Sequence, residues 1–110
     1  MKVPNNENAV VDIAKIRDYC LNPDHSVGKH KAYVFKSALN LTVEDAPMLR
    51  EELLKGVAQV EATIGEQDEY GQRYTVDMLI IVGDKQAEVR SGWIIRTDED
   101  FPRLTTCFVL

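Results

Sequence analysis

Apolar residues recur at helical spacing through the first half of the chain. Ile13, Ile16 and Cys20 lie three or four residues apart and would form one stripe on a helix. A second stripe runs through residues 32–39, and a third is formed by Leu49, Leu53 and Val57. Gly56 is predicted to stop the third helix. We therefore predict helices over residues 12–20, 29–40 and about 45–55.

Beyond Gly56 the apolar spacing becomes alternating, which is typical of strands with one buried face. Gly83-Asp84 predicts a hairpin turn between two such strands. Strands are predicted over residues 59–66, 72–82, 87–96 and 103–110. The side chains expected to face the helices are Tyr74, Val76, Met78 and Ile80, then Val89, Trp93 and Ile95, then Leu104, Phe108 and Leu110. The chain is thus predicted to be α+β, with two or three N-terminal helices packed on a four-stranded antiparallel sheet.

Composition adds limits to this outline. At 110 residues, 45% apolar and 28% charged, the chain is expected to be a single domain over residues 1–110, with residues 1–8 flexible. No apolar run reaches the roughly 18 residues of a membrane span, and the N-terminus does not resemble a signal peptide. We therefore predict a cytoplasmic protein that binds no membrane. Cys20 and Cys107 are expected to be buried, reduced thiols, and no spacing of ligands suggests a metal or a cofactor.

Charge is distributed unevenly along the chain, whose net charge is −5. Residues 25–36 hold three lysines, both histidines and no acid, whereas residues 37–69 hold eight acids and only two bases. The overall acidity argues against sequence-blind coating of nucleic acid. It leaves room for one compact basic site, and it also suits a basic protein partner.

The basic island provides the first candidate site. His25, Lys29, His30 and Lys31 lie at or near a predicted helix N-terminus, where backbone N–H groups favour anions. Histidines titrate near neutral pH, so His25 or His30 could move a proton from a ribose 2′-OH to a leaving 5′-oxygen. The lysines could clamp the phosphate. In the alternative interpretation, the histidine rigidifies the turn and the other side chains are simply solvated.

The open face of the predicted sheet provides the second candidate site. Arg73, Arg90 and Arg103 would share this face with Thr75 and Thr105, and three arginines from three strands could hold a phosphate. Arg73, Arg90 and Ser91 could stabilise a pentacovalent phosphorane. The alternative is cross-strand pairing of Arg73 or Arg90 with Asp77 or Glu88.

Four stretches carry a family resemblance. They are Leu21-Asn-Pro-Asp-His-Ser-Val-Gly-Lys-His-Lys-Ala-Tyr-Val-Phe35, Asp68-Glu-Tyr-Gly-Gln-Arg-Tyr74, Arg90-Ser-Gly-Trp-Ile-Ile-Arg96 and Pro102-Arg-Leu-Thr-Thr-Cys-Phe-Val-Leu110. Together they resemble a family of small bacterial domains of unknown function (DUF6883-like). Related forms with an Asn-Pro-x-His-x-x-Gly-x-x-Lys core end large polymorphic toxins, which implies a toxin nuclease. The order of elements also resembles the barnase/RelE-type ribonuclease fold, which cleaves RNA without metal. The matched polar residues are His25, Lys29, Lys31, Arg73, Arg90, Ser91 and Thr105.

Two functions follow as hypotheses. The first is a metal-independent endoribonuclease of toxin type, with His25, Lys29, Arg73 and Arg90 catalytic and Lys31, His30, Ser91 and Thr105 binding RNA. The second is a non-catalytic interaction module, similar to an immunity protein or antitoxin, whose acidic segment binds a partner encoded in the same operon. The oligomeric state is not predicted.

Overall fold

The computed structural model describes residues 1–110 and confirms the predicted order of helices and sheet. Helix α1 spans Ile13–Lys15 and continues as a π-helix over Ile16–Cys20; α2 spans Lys29–Leu39 and α3 spans Ala46–Gln59. The strands are β1 (Thr63–Asp68), β2 (Gly71–Val82), β3 (Lys85–Arg96) and β4 (Pro102–Val109). They form one antiparallel sheet in the order of the chain. No helix is long and apolar enough to cross a membrane.

Local signals account for the ends of the long helices. Asn40 ends α2 in the left-handed conformation, where asparagine is one of the few residues tolerated without strain. The backbone N–H of Thr42 donates to the Asp45 carboxylate at 2.9 Å, as in a capping box. Pro47 then lies in the first turn of α3, where its missing N–H costs nothing.

Gly56 does not end α3, so that prediction is wrong. The helix continues to Gln59, and Gly56 lies directly over Met78 of β2. A Cβ at residue 56 would overlap the Met78 side chain, so the glycine lets the helix approach the sheet closely. The longer helix delays the first strand, which begins at Thr63 rather than near residue 59.

The core lies between the helices and one face of the sheet. Twenty buried residues form one apolar cluster, and it includes all four side chains predicted for β2. Val89 and Trp93 of β3 are buried as predicted, and Ile95 packs against the cluster. Val3, from the segment predicted to be flexible, is also buried in the core.

The last strand departs from its predicted alternation. Trp93 pairs with Leu104 but Gly92 pairs with Thr106, so Thr105 is an extra residue in a β-bulge. Beyond the bulge the phase of β4 shifts by one residue. Cys107 and Val109 therefore face the core, whereas Leu110 is 56% exposed. The prediction that Phe108 and Leu110 face inward is wrong for this reason.

Candidate functional site

An open cleft of about 690 Å³ lies between the helical segment α1 and the bulged part of β4. The strand's edge is paired with Val10 only as far as Leu104, so beyond that point it faces the helices. The polar side chains in the cleft are Asp12, Lys15, Asp18, Tyr19, His25 and Thr105. Two residues predicted for the site, His25 and Thr105, thus meet here from opposite halves of the chain.

His25 is held by the turn that precedes α2. Its Nδ1 accepts hydrogen bonds from the backbone N–H groups of Val27 and Gly28, at 3.0 and 2.9 Å. Its ring meets Tyr19 edge to face, with centroids 4.9 Å apart. Because Nδ1 is an acceptor, the neutral ring carries its proton on Nε2. In this position His25 can donate a hydrogen bond to a ligand, but it has no ring nitrogen free to act as a base.

Tyr19 and Lys31 form the second pair of groups at the cleft. Tyr19 lies in the π-helix, an uncommon element that is frequent at functional sites. Lys31, from the first turn of α2, donates its Nζ to the Tyr19 hydroxyl oxygen at 2.8 Å. An ammonium can only donate, so the phenol accepts this bond and keeps its own proton for a ligand. The pair therefore presents an O–H donor polarised by a cation.

Thr105 reaches the cleft because of the β-bulge. Gly92 on β3 makes room for it, since a Cβ at residue 92 would lie only 2.8 Å from Thr105 Oγ1. Thr105 also lines a smaller cavity on the same edge, together with Lys15 and Arg103. Bulges often re-aim a side chain next to a functional site, and Thr105 fits that pattern.

The two carboxylates of the cleft, Asp12 and Asp18, differ in their hydrogen-bond partners. Arg17 binds both oxygens of Asp18, at 2.8 and 3.0 Å, and holds the pKa of that carboxyl below its usual value. Asp12 caps the start of α1, with Oδ1 accepting from the Ala14 N–H at 3.0 Å. This leaves the second oxygen of Asp12 for a ligand.

The predicted arginines share the open face of the sheet but do not meet His25. Arg90 binds both oxygens of Asp77 at 2.8 and 2.9 Å, and this hydrogen bonding holds the pKa of Asp77 below its usual value. Arg73 pairs with Asp68, and Arg103 pairs with Glu99. The cross-strand alternative is thereby confirmed for Arg90.

The remaining predicted residues are distributed across three environments. Ser91 is fully buried, where its Oγ donates to the Val76 carbonyl at 2.8 Å and accepts from Trp93 Nε1 at 2.9 Å. Its hydroxyl therefore holds the core together rather than facing the cleft. Lys29 is exposed at the start of α2. His30 lines a second cavity beside Lys31.

The cysteines Cys20 and Cys107 are both buried, as predicted. The thiol of Cys107 hydrogen bonds to Cys20 and, with the nearby Lys31 ammonium, lowers the pKa of Cys20 to about 7. The same pairing, together with burial, raises the pKa of Cys107. No group of three or more His, Cys, Asp or Glu side chains is arranged to hold a metal ion.

Sequence reasoning missed Tyr19, Asp12, Lys15 and Asp18. Tyr19 lies six residues before His25, where the basic island begins, and its partner Lys31 is 12 residues away. Only the packing of α2 on the π-helix brings the two together. The one local signal was Asp12 ahead of an apolar helical stripe, which is a helix-cap pattern as much as a site pattern.

Comparison with known proteins adds a family and a fold. Residues 2–110 match the family described as "Domain of unknown function (DUF6883)". No curated protein matches the sequence. The fold is similar to that of one chain in a contact-dependent growth inhibition toxin–immunity protein complex from Klebsiella pneumoniae 342. The TM-score is 0.70 at 18% identity, over 92% of this chain and 99% of that chain.

Proposed function

The chain belongs to the DUF6883 family, and from that premise we propose that it is a metal-independent endoribonuclease of the toxin type. The observation that carries the proposal is the Tyr19 hydroxyl, held by Lys31 at 2.8 Å, in one cleft with His25 and Thr105. The fold shared with a chain of a toxin–immunity complex supports the toxin setting.

RNA offers its own nucleophile, so the protein needs only to move protons and stabilise charge. The 2′-oxygen attacks the phosphorus while the 5′-oxygen leaves, which gives a 2′,3′-cyclic phosphate and a 5′-hydroxyl. In the proposed reaction Asp12 accepts the 2′-OH proton and Tyr19 donates its proton to the 5′-oxygen. The Nε2–H of His25 and the ammonium of Lys15 bind the non-bridging oxygens as negative charge develops. His25 thus acts as a donor here, and not as the base suggested by its residue type.

The test is cleavage of an RNA oligonucleotide by purified protein in the presence of EDTA, followed by analysis of the product ends. We expect a 2′,3′-cyclic phosphate at the product end. The cleavage rate of His25→Ala should be lowered roughly 10- to 100-fold, as for the loss of one hydrogen bond to a charged group, which contributes about 1.5–3 kcal/mol. Arg73→Gln is the matched control. Arg73 lies on the open face of the sheet, pairs with Asp68 and lines none of the cavities, so this variant should cleave RNA at the parent rate. A folded protein that leaves RNA intact, or equal rates for His25→Ala and the parent, would reject the proposal.

A second candidate function is that of a non-catalytic interaction module, similar to an immunity protein or antitoxin, that binds a basic protein encoded in the same operon. If the chain is instead the toxin, the corresponding partner is its cognate antitoxin. Binding to a basic protein is favoured by the acidity of residues 37–69, where Glu51 is exposed on α3 and every residue of β1 is exposed. Charge complementarity would speed association and set specificity. The likeness to one member of a two-protein complex is compatible with this function as well.

Co-purification with the product of a neighbouring gene tests this candidate. The double variant Glu51→Lys, Glu52→Lys should weaken binding and reduce its dependence on salt. Asp84→Lys, a charge reversal at the exposed β2–β3 turn, is the control and should bind as the parent does. Equal binding by all three proteins would count against the acidic segment as the interface.

A further inference from the structure

A second surface cavity, of about 350 Å³, is linked to the cleft through Lys31, whose ammonium contacts Tyr19 of the cleft. It is lined by His30, Lys31 and Val34 of α2 and by Phe108 and Val109 of β4. The Lys31 Nζ lies 2.8 Å from the Tyr19 oxygen and 5.9 Å from the centre of the Phe108 ring. One ammonium therefore lines this cavity and also contacts a residue of the cleft.

The aromatic wall of this cavity depends on the phase that β4 has beyond the β-bulge. Continued alternation from Leu104 would turn Phe108 into the core, but the extra residue Thr105 turns Cys107 inward instead. Phe108 is left half-buried at the edge of β4 and is absent from the apolar core cluster. Val34, which shares the cavity, is 43% exposed. The Phe108 ring is therefore a large apolar side chain of β4 that does not pack in the core.

We propose that this cavity is a nucleobase subsite, in which an unpaired base of the RNA stacks on Phe108 beside His30. The inference rests on the ribonuclease function proposed for the cleft that Tyr19 lines. Every base has a π-face, so an aromatic platform next to a cation binds single strands with little sequence preference. The other N–H donors of Lys31 would bind the phosphate that joins this base to the scissile position. A base can stack on a side chain only after leaving its own helix, so the substrate class is single-stranded or looped RNA.

The experiment measures binding without cleavage. A fluorescent single-stranded oligonucleotide with 2′-O-methyl riboses lacks the nucleophile, so its affinity is read by anisotropy alone. Phe108→Leu removes the ring but keeps an apolar side chain, and the Kd should rise roughly 5- to 100-fold. Phe108→Tyr keeps the ring and should bind like the parent. A duplex of the same sequence should show no dependence on residue 108.

Phe101→Leu is the matched control. Phe101 is also half-buried and close to a cation, with Arg103 at 4.9 Å, but it lies outside this cavity. Circular dichroism melting verifies that each variant is folded, and His30→Ala provides a second probe of the cavity if Phe108→Leu does not fold. Equal affinities for the parent, Phe108→Leu and His30→Ala would overturn the subsite while leaving RNA cleavage by the parent untouched. Absence of cleavage with strong Phe108-dependent binding would instead reject the ribonuclease proposal.

Discussion

Tyr19→Phe will lower the rate of RNA cleavage by roughly 10²- to 10⁴-fold, the usual contribution of a proton donor in the transition state. The substitution removes only the hydroxyl that Lys31 contacts at 2.8 Å, and the ring keeps its edge contact with His25. Lys31 is only partly buried, so its ammonium can turn to water without a large cost in stability. The measurement is single-turnover cleavage of an RNA oligonucleotide at saturating protein.

A substrate with sulfur at the 5′-leaving position separates proton donation from mere positioning. A thiolate leaves without being protonated, so Tyr19→Phe should cleave this substrate at nearly the parent rate. Tyr33→Phe serves as the control, because Tyr33 is 57% exposed on α2 and does not line the cleft. If Tyr19→Phe is equally slow on both substrates, Tyr19 is not the proton donor.

Gly28→Ala will lower the free energy of unfolding by about 1–3 kcal/mol, as overpacking of a closed site does. A Cβ at residue 28 would overlap the carbonyl oxygen of Tyr19 and lie 2.9 Å from its Cδ1. Backbone cannot be relieved by a change of rotamer, so the turn and the π-helix must move apart. That movement would also break the Gly28 N–H bond to His25 Nδ1, so cleavage should fall with stability.

Urea denaturation together with the cleavage assay provides the measurement. Ser26→Ala, an exposed position in the same turn, should leave both quantities close to those of the parent. A Gly28→Ala protein as stable and as active as the parent would mean that the contact between turn and π-helix is loose.

The sequence predicted the elements whose signals are local. Alternation over β2 placed Tyr74, Val76 and Met78 in the core, because each strand residue's face depends only on its neighbours. The phase of β4 could not be predicted this way, because the bulge depends on how Gly92 accommodates Thr105 across the sheet. The prediction that Gly56 ends α3 was wrong for a similar reason, because the role of Gly56 is set by its contact with Met78 of β2 and not by the helix sequence around it.

In the candidate site too, the residues with a local sequence signal could be predicted, and those that depend on register or on tertiary contacts could not. His25 and Lys31 could be singled out because the basic island is visible as composition. That Arg90 is neutralised by Asp77 depends on register, which one sequence does not reveal. Tyr19 was missed because its role comes from a tertiary contact with Lys31.

The β-bulge adds one residue to β4 that the pairing of the sheet does not need. If Thr105 were absent, Leu104 would still pair with Trp93, Thr106 with Gly92 and Cys107 with Ser91, in an uninterrupted ladder. The same side chains would enter the core. The sheet could therefore be built from a chain one residue shorter, with more regular hydrogen bonding. Thr105 is in this sense an insertion that folding does not require, and what it adds is a hydroxyl at the mouth of the cleft.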